Sequence, residues 1–127
     1  KRELQTVYGW TLHLGNGDSN PRTLRNFPMQ GNGAEMLRLA CSYLTEEGIE
    51  VCAPVHDAIL IQAPLEEIEE VSCRAQELLA KASAEVLSGF SLRTDANIVK
   101  FPHRYLEDKG KSMWEMVIGI LERLKKR

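Results

Sequence analysis

Two apolar runs separated by a short polar turn constrain the fold of this chain more than any other feature. Residues 51–61 are almost continuously apolar and are interrupted mainly by His56 and Asp57. Short apolar runs that flank a turn are typical of buried β-strands. We therefore predict a hairpin with strands at 49–53 and 59–63 in the centre of a sheet, with an imidazole and a carboxylate at its turn.

Capping signals and apolar spacing predict helices on either side of this hairpin. Asn32 followed by Glu35 resembles a capping box, so the first helix is predicted to begin there and to end near Glu47, before Gly48. A second helix is predicted to begin near Pro64, because proline suits the first turn of a helix. Its apolar residues recur at spacings of three and four, as expected for a helix with one buried face.

The remaining segments complete an α+β domain. Strands are predicted at 7–14 and 91–100, and an irregular segment at 22–33, where proline and glycine interrupt any period. Ser112 and Glu115 predict the start of a last helix. The side chains expected to pack inward from it are Trp114, Val117, Ile118, Leu121 and Leu124. This order of elements predicts an antiparallel sheet with helices packed on it.

Length and composition are those of a single domain. The chain has 127 residues, of which 43% are hydrophobic and 27% charged, and its net charge is −2. There is no overall basic field, so any contact with nucleic acid has to be local. No apolar run is long enough to span a membrane. Cys41, Cys52 and Cys73 form no disulfide pattern, and we expect buried free thiols in a reducing, cytoplasmic setting.

Asp57 has two interpretations when the residues alone are considered. Aspartate is common in turns, so its position has a purely structural explanation. Alternatively, two rigid strands present Asp57 as an oxygen ligand for Mg²⁺, although a two-metal site needs further carboxylates. His56 and Asp57 also suggest the His-Asp pair of metal phosphohydrolases, a weaker hypothesis because only His13 and His103 remain as histidines.

Two motifs in a fixed order carry a resemblance to a known family. RNFPMQGNGAEMLRLA, at residues 25–40, is followed by VHDAILIQAP, at residues 55–64. They resemble the C-terminal palm of family A DNA polymerases, where R-x3-N-x-P-x-Q-G-[TS]-A-A-[DE] precedes a strand–turn–strand carrying Q-V-H-D-E. The resemblance runs from about Thr6 to Arg104. It implies that residues 1–127 form one segment of a polymerase palm subdomain.

The resemblance implies roles for individual residues. Asp57 corresponds to the palm aspartate that binds the catalytic metals, and His56 to the histidine beside it, near the primer end. Gln30 corresponds to the glutamine that probes the minor groove. Asn26 and Arg22 correspond to polar residues that contact the duplex in the same region. Minor-groove acceptors lie at similar positions on every base pair, so such donors check pair shape without reading sequence.

The implied partners are those of a DNA-directed DNA polymerase in DNA replication or repair: primer–template DNA, deoxynucleoside triphosphates and two Mg²⁺ ions. Arg22 and Arg25 are the main candidates for phosphate contacts, followed by Lys100 and Arg104. Such contacts need only a few local cations, so the net charge of −2 does not oppose them.

The sequence departs from the family pattern at three places. Ala58 replaces the acid after the His-Asp pair, Pro54 replaces the glutamine before it, and residues 31–34 read Gly-Asn-Gly-Ala. The family's second metal-binding aspartate and its Lys/Arg-rich fingers helix have no counterpart in these residues. One carboxylate offsets little of the charge of two Mg²⁺ ions. We therefore expect an inactive segment that the remaining subdomains of a longer polymerase complete.

The alternative is a stand-alone descendant of the palm that only binds nucleic acid or a protein partner. The missing acid at Ala58 suits this alternative. In either case Val51, Val55 and residues 59–61 are expected at an uncovered edge or face of the sheet. Exposed apolar strand surfaces favour pairing with other chains, so we also expect self-association.

Overall fold

The structure is a computed structural model that describes residues 3–15, 20–106 and 108–125. Within these ranges the strands form two separate antiparallel pairs. Helices combined with antiparallel strands confirm the α+β class, but two hairpins replace the single sheet that was predicted. The elements are β1 (Glu3–Gln5), β2 (Thr11–His13), α1 (Pro21–Glu46), β3 (Glu50–Val55), β4 (Ala58–Gln62), α2 (Ile68–Val86) and α3 (Asp108–Lys125).

Helix α1 begins well before its predicted start. The Asn20 side chain caps it by accepting a hydrogen bond from the Arg22 backbone N–H at 2.9 Å, and Pro21 occupies the first turn. The helix then continues through Pro28, so the prediction of an irregular segment at 22–33 is wrong. A proline inside a helix removes one hydrogen bond and costs about 3 kcal/mol, which other contacts of the helix must offset.

Asn32 and Glu35, predicted as a capping box, lie in the middle of α1 and hold the turn between β1 and β2. The Val7 backbone N–H donates to Asn32 Oδ1 at 3.0 Å. The Thr6 hydroxyl donates to Glu35 Oε1, and the Tyr8 backbone N–H donates to Glu35 Oε2 at 3.2 Å. The Glu35 carboxyl group is buried, and both oxygens have a donor, as burial requires. The two polar residues thus serve a tertiary contact and not a helix cap.

The predicted strand at 7–14 is in part a turn. β1 and β2 pair in antiparallel register, and the chain reverses direction between them. Gly9 adopts a φ of +83° in this reversal, and the Trp10 backbone N–H donates to the Thr6 hydroxyl at 2.9 Å. The prediction of a strand is therefore correct only for residues 11–13.

The central hairpin is confirmed. β3 and β4 pair antiparallel, with Val51 opposite Ile61 and Val55 opposite Ala58, and a bulge at Cys52 interrupts the register. Half-buried and exposed residues alternate along much of both strands, so one face packs on the helices. The predicted position in the centre of a sheet is wrong within the described residues, since this sheet has two strands.

The core lies between α1, α2 and the inner face of the β3–β4 hairpin. Gly48 ends α1 with a φ of +77°, as predicted, and lets the chain turn back into β3. Burial of each large apolar side chain here contributes roughly 1.5–3 kcal/mol before entropy is counted. The main cluster of core residues consists of Leu44, Ile49, Ala75 and Leu78, with Tyr43, Val51, Ile59, Ile61, Val71 and Leu79 packed against them. Ala40, Ala82 and Val86 are also buried.

Residues 91–100, predicted as a strand, form an irregular segment beside α2. The Leu92 backbone N–H donates to Ser83 Oγ at 2.9 Å, and the Gln76 side-chain amide donates to the Thr94 carbonyl at 2.5 Å. A β-strand requires a partner strand. No strand among the described residues pairs with this segment, so its β-forming composition does not produce a sheet.

Helix α3 begins at Asp108 and not at Ser112, and none of its described residues is buried. Trp114 is 54% exposed and Leu124 is 60% exposed. The prediction that this helix packs its apolar side chains inward is therefore wrong for the structure described.

Two further findings concern the expected surroundings of the chain. Cys41, Cys52 and Cys73 are free thiols, as predicted, but Cys52 and Cys73 are exposed, so their predicted burial is wrong. None of the described helices is both long enough and apolar enough to cross a membrane.

A tyrosine–carboxylate contact joins α1 to α2. The Tyr43 hydroxyl donates to Glu85 Oε2, and the Lys81 ammonium lies 4.2 Å from the centre of the Tyr43 ring. The hydrogen bond to Glu85, with desolvation and the charge of that carboxylate, raises the pKa of Tyr43 to about 12. Tyr43 thus keeps its proton well above the pH at which an ordinary tyrosine loses it.

Gly31 is buried where α1 meets the turn between β1 and β2. A Cβ atom at this position would lie 2.4 Å from Thr6 Cγ2, which is closer than side chains tolerate. Thr6 is buried and its hydroxyl is held by Glu35, so it cannot rotate away without losing that hydrogen bond. A Cβ atom on Gly33, in the same helix, would have no atom within 4 Å.

We expect Gly31→Ala and Gly33→Ala to change stability in opposite directions. Alanine favours a helix over glycine by about 0.8–1.0 kcal/mol, so Gly33→Ala should raise the free energy of unfolding by about that amount. Gly31→Ala should lower it by roughly 1–3 kcal/mol because of the overlap with Thr6. Urea unfolding followed by circular dichroism measures both. Adding Thr6→Ser, which removes Cγ2, should recover part of the loss; equal stabilisation by both alanines would contradict the close contact.

The titration of Tyr43 gives a second prediction. In a spectrophotometric titration of phenolate absorbance, Tyr43 should ionise near pH 12, and Glu85→Gln should lower that value toward 10.0. The folded pKa exceeds the unfolded one, so the contact's contribution to stability is complete below pH 10 and is lost between about pH 10 and 12. Subtracting the curve of Tyr43→Phe assigns the signal. An unchanged pKa in Glu85→Gln would show that Glu85 is not the cause.

Candidate functional site

His56 and Asp57 form the two-residue turn between β3 and β4. Val55 and Ala58 pair on either side of it, so both strands run directly into the turn. His56 adopts a φ of +55°, a left-handed conformation that is uncommon outside glycine, although histidine, asparagine and aspartate are enriched in it. Both side chains are exposed. The turn therefore presents an imidazole and a carboxylate to solvent from a paired backbone.

A row of polar side chains lies on the exposed side of α1. Arg22, Asn26 and Gln30 are spaced by four residues in one continuous helix, which puts them one above the other on neighbouring turns. Arg25 borders this row, and all four residues are exposed. We call Arg22, Asn26 and Gln30 the α1 row. The sequence alone had placed these residues in an irregular segment, where they would share no face.

The polar groups of the turn and of the α1 row are free to bind something outside the described chain. Among the described residues, the side chains of His56, Asp57, Asn26 and Gln30 have no hydrogen-bond or ion-pair partner. No contact of this kind joins the turn to the row. The structure thus brings the helical candidates together and leaves the turn as a separate group.

The described residues do not fit a complete Mg²⁺ site. No group of three or more histidine, cysteine, aspartate or glutamate side chains among them is placed to hold a metal ion. Asp57 is followed by Ala58, and a single carboxylate offers far fewer oxygen ligands than the six of Mg²⁺. Among the described residues, the turn of the hairpin offers one carboxylate, that of Asp57.

The two further candidates for phosphate contacts differ in their surroundings. The Lys100 ammonium forms an ion pair with Glu69 Oε1 at 2.7 Å, which partly neutralises its charge. Arg104 is exposed on the segment before α3. Neither lies on α1 with the other cations.

Sequence reasoning missed a cleft beside α1. We call it the aromatic cleft; it has a volume of about 380 Å³ and is lined by Tyr8, Gly9, Trp10, Ala34, Glu35 and Arg38. Partial burial, with the Glu85 carboxylate nearby, raises the pKa of Tyr8. The Trp10 ring meets the Phe27 ring edge-on at a centroid distance of 6.3 Å. The available signal was the pair of aromatic residues around Gly9, which we assigned to a strand.

Comparison with known proteins gives three relatives of one kind. The chain is 38% identical over 91 aligned positions to "DNA polymerase I, thermostable" of Thermus thermophilus and to its namesake of Thermus caldophilus, covering 62% of this chain and 11% of each relative. It is 28% identical over 88 positions to DNA polymerase I of Deinococcus radiodurans, covering 60% of this chain and 9% of the relative. No family model and no solved structure matches.

The similarity is to one part of much longer proteins. The chain spans about a tenth of the length of these relatives. The resemblance seen in the two motifs is confirmed by relatives from two bacterial genera. Over the part of its sequence that matches, the chain is therefore similar to DNA polymerase I, a family A DNA polymerase.

Proposed function

We propose that the chain is the C-terminal palm part of a DNA-directed DNA polymerase and holds the primer–template end during template-directed nucleotidyl transfer. One observation carries the proposal: the side chains of Arg22, Asn26 and Gln30 share one exposed face of α1 and have no hydrogen-bond or ion-pair partner among the described residues. A rigid helix with a guanidinium and two amides at one-turn spacing suits a surface that follows a duplex groove.

The members of the α1 row have different roles in this proposal. The Gln30 and Asn26 amides donate to minor-groove acceptors, which occupy similar positions in all correct base pairs. Arg22 and the neighbouring Arg25 bind phosphates and supply affinity that depends on salt. These roles are compatible with a net charge of −2, because the two basic residues that they require lie close together at the start of α1.

The turn of the β3–β4 hairpin contributes to the same site. The chain reverses direction after α1, and β3 runs back along this helix. The six residues of β3 extend about 20 Å, a length that roughly 13 residues of α-helix also span. On these lengths we expect Asp57 level with the middle of α1, near the Gln30 end of the row. Asp57 supplies one carboxylate there, and His56 faces the primer end. The other metal ligands belong to other parts of the polymerase.

Duplex binding tests the α1 row. Arg22→Gln should weaken binding of a labelled primer–template duplex and reduce the slope of log K against log salt by about 1, because one phosphate contact is lost. Gln30→Ala should weaken binding with an unchanged slope. Fluorescence anisotropy over a salt series measures both.

Matched controls lie away from α1. Arg93→Gln and Gln62→Ala remove the same groups from exposed positions outside this helix and should change neither affinity nor slope. If the controls weaken binding as much as the α1 variants do, the row is not the contact surface and the proposed function loses its main support.

A second prediction concerns activity. The purified chain should incorporate no deoxynucleotide on a primer–template with Mg²⁺, because one carboxylate cannot hold the two metal ions of the reaction. A primer-extension assay measures this. Incorporation that is abolished by Asp57→Ala would contradict the prediction and would show that the chain completes its own metal site.

A palm descendant that only binds DNA is the second candidate. The observation that favours it is Ala58 beside Asp57, with no cluster of metal ligands among the described residues. Duplex binding that persists in EDTA and is unaffected by Asp57→Ala would support this candidate. Binding strengthened by Mg²⁺ only when Asp57 is present would support the polymerase segment.

A further inference from the structure

We propose that the aromatic cleft binds an unpaired base of a DNA strand next to the duplex held by the α1 row. That the bound strand is DNA rests on the proposed function, whereas the ability of the cleft to bind a base is argued from its own side chains. An unpaired base needs a flat apolar surface for its face and a cation for its phosphate, and the cleft offers both.

The aromatic part of the cleft is exposed and held in place. Trp10 is 60% exposed and Tyr8 is 47% exposed, on either side of Gly9. The edge contact with Phe27 restricts the Trp10 ring, and the Tyr8 hydroxyl donates to Glu85 Oε1 at 3.4 Å. Rings that are already ordered lose little entropy when a base stacks on them, so they favour binding.

The cleft continues the α1 row. Residues 22, 26, 30, 34 and 38 follow one another at four-residue spacing, and each step rotates the position about 40° around the helix. The row therefore winds from the exposed side of α1 into the cleft, where it ends at Arg38. Ala34 lies between Gln30 and Arg38 in this series and carries only a methyl group, so its side chain does not obstruct a strand lying along these residues. A strand that follows the row is led to the aromatic rings.

The charges favour a base over a phosphate at the aromatic end. Glu35 lines the cleft, but both its oxygens accept hydrogen bonds from the β1–β2 turn. Glu85 lies beside the Tyr8 hydroxyl and would repel a phosphate there. Arg38 is the cation of the cleft, so the phosphate belongs on its side. The volume of about 380 Å³ is at the small end for ligand pockets and suits one base.

The test compares strands with and without bases. The probes are a labelled oligothymidylate and a strand of equal length whose nucleotides are abasic, so that the phosphates are the same. The intact chain should bind the oligothymidylate at least about fivefold more tightly, the value of one stacked base. In a Trp114→Phe background the remaining tryptophan, Trp10, should be quenched by the thymidylate and not by the abasic strand.

Variants of the cleft complete the test. Trp10→Ala should remove the preference for bases, whereas Trp10→Phe should keep most of it and Trp114→Ala all of it. Arg38→Gln should weaken both strands and lower the salt slope by about 1. Equal binding of the two strands by the intact chain, or an unquenched Trp10 at saturation, would overturn the proposal without relying on any variant that folds poorly.

A blunt duplex without unpaired bases separates this proposal from the proposed function. If the chain binds single strands in a base-dependent way but does not bind the duplex, the proposed function is contradicted and the proposal for the aromatic cleft stands. If duplex binding depends on the α1 row and single strands are bound without a preference for bases, only the proposal for the aromatic cleft is contradicted.

Discussion

The contact between the middle of α1 and the turn of the first hairpin is the constraint on which the N-terminal half of the structure depends. Glu35 is a buried carboxylate inside a helix, and burial without partners would cost several kcal/mol. Thr6 and Tyr8 satisfy it, and Gly31 lets their turn come close enough to do so. The contact thus fixes one face of α1 against the first hairpin, while the opposite face, which carries the candidate DNA contacts, is exposed.

Two parts of the fold that depend on local signals were predicted correctly. The β3–β4 hairpin and the end of α1 at Gly48 follow from apolar runs and a glycine with positive φ, which act within a few residues. The start of α1 was not predictable in this way, because Pro28 and Gly31 are read locally as helix breakers. Gly31 is needed where the helix meets Thr6, a residue distant in sequence, and nothing local to the helix indicates that contact. Residues 91–100 have a composition that favours a β-strand, but a strand also needs a partner strand. None of the described strands pairs with them, so the local signal was misleading.

The candidate site, like the fold, has one part that could be predicted from the sequence and another that could not. The residues His56, Asp57, Gln30, Asn26 and Arg22 were identified by resemblance, which depends on motif order and needs no structure. Their common face on α1 depends on the helix being continuous and became visible only with the fold. The aromatic cleft was missed because Tyr8 and Trp10 belong to a strand-like sequence, and only the reversal at Gly9 brings them to face Arg38.

The left-handed backbone at His56 restricts which residues this position accepts, independently of any chemistry. A φ of +55° strongly disfavours β-branched side chains and leaves glycine, asparagine, aspartate and histidine as the comfortable choices. Of these four, only histidine adds an imidazole ring. The turn geometry thus limits the residue types that fit next to Asp57 before any role of the side chain is considered.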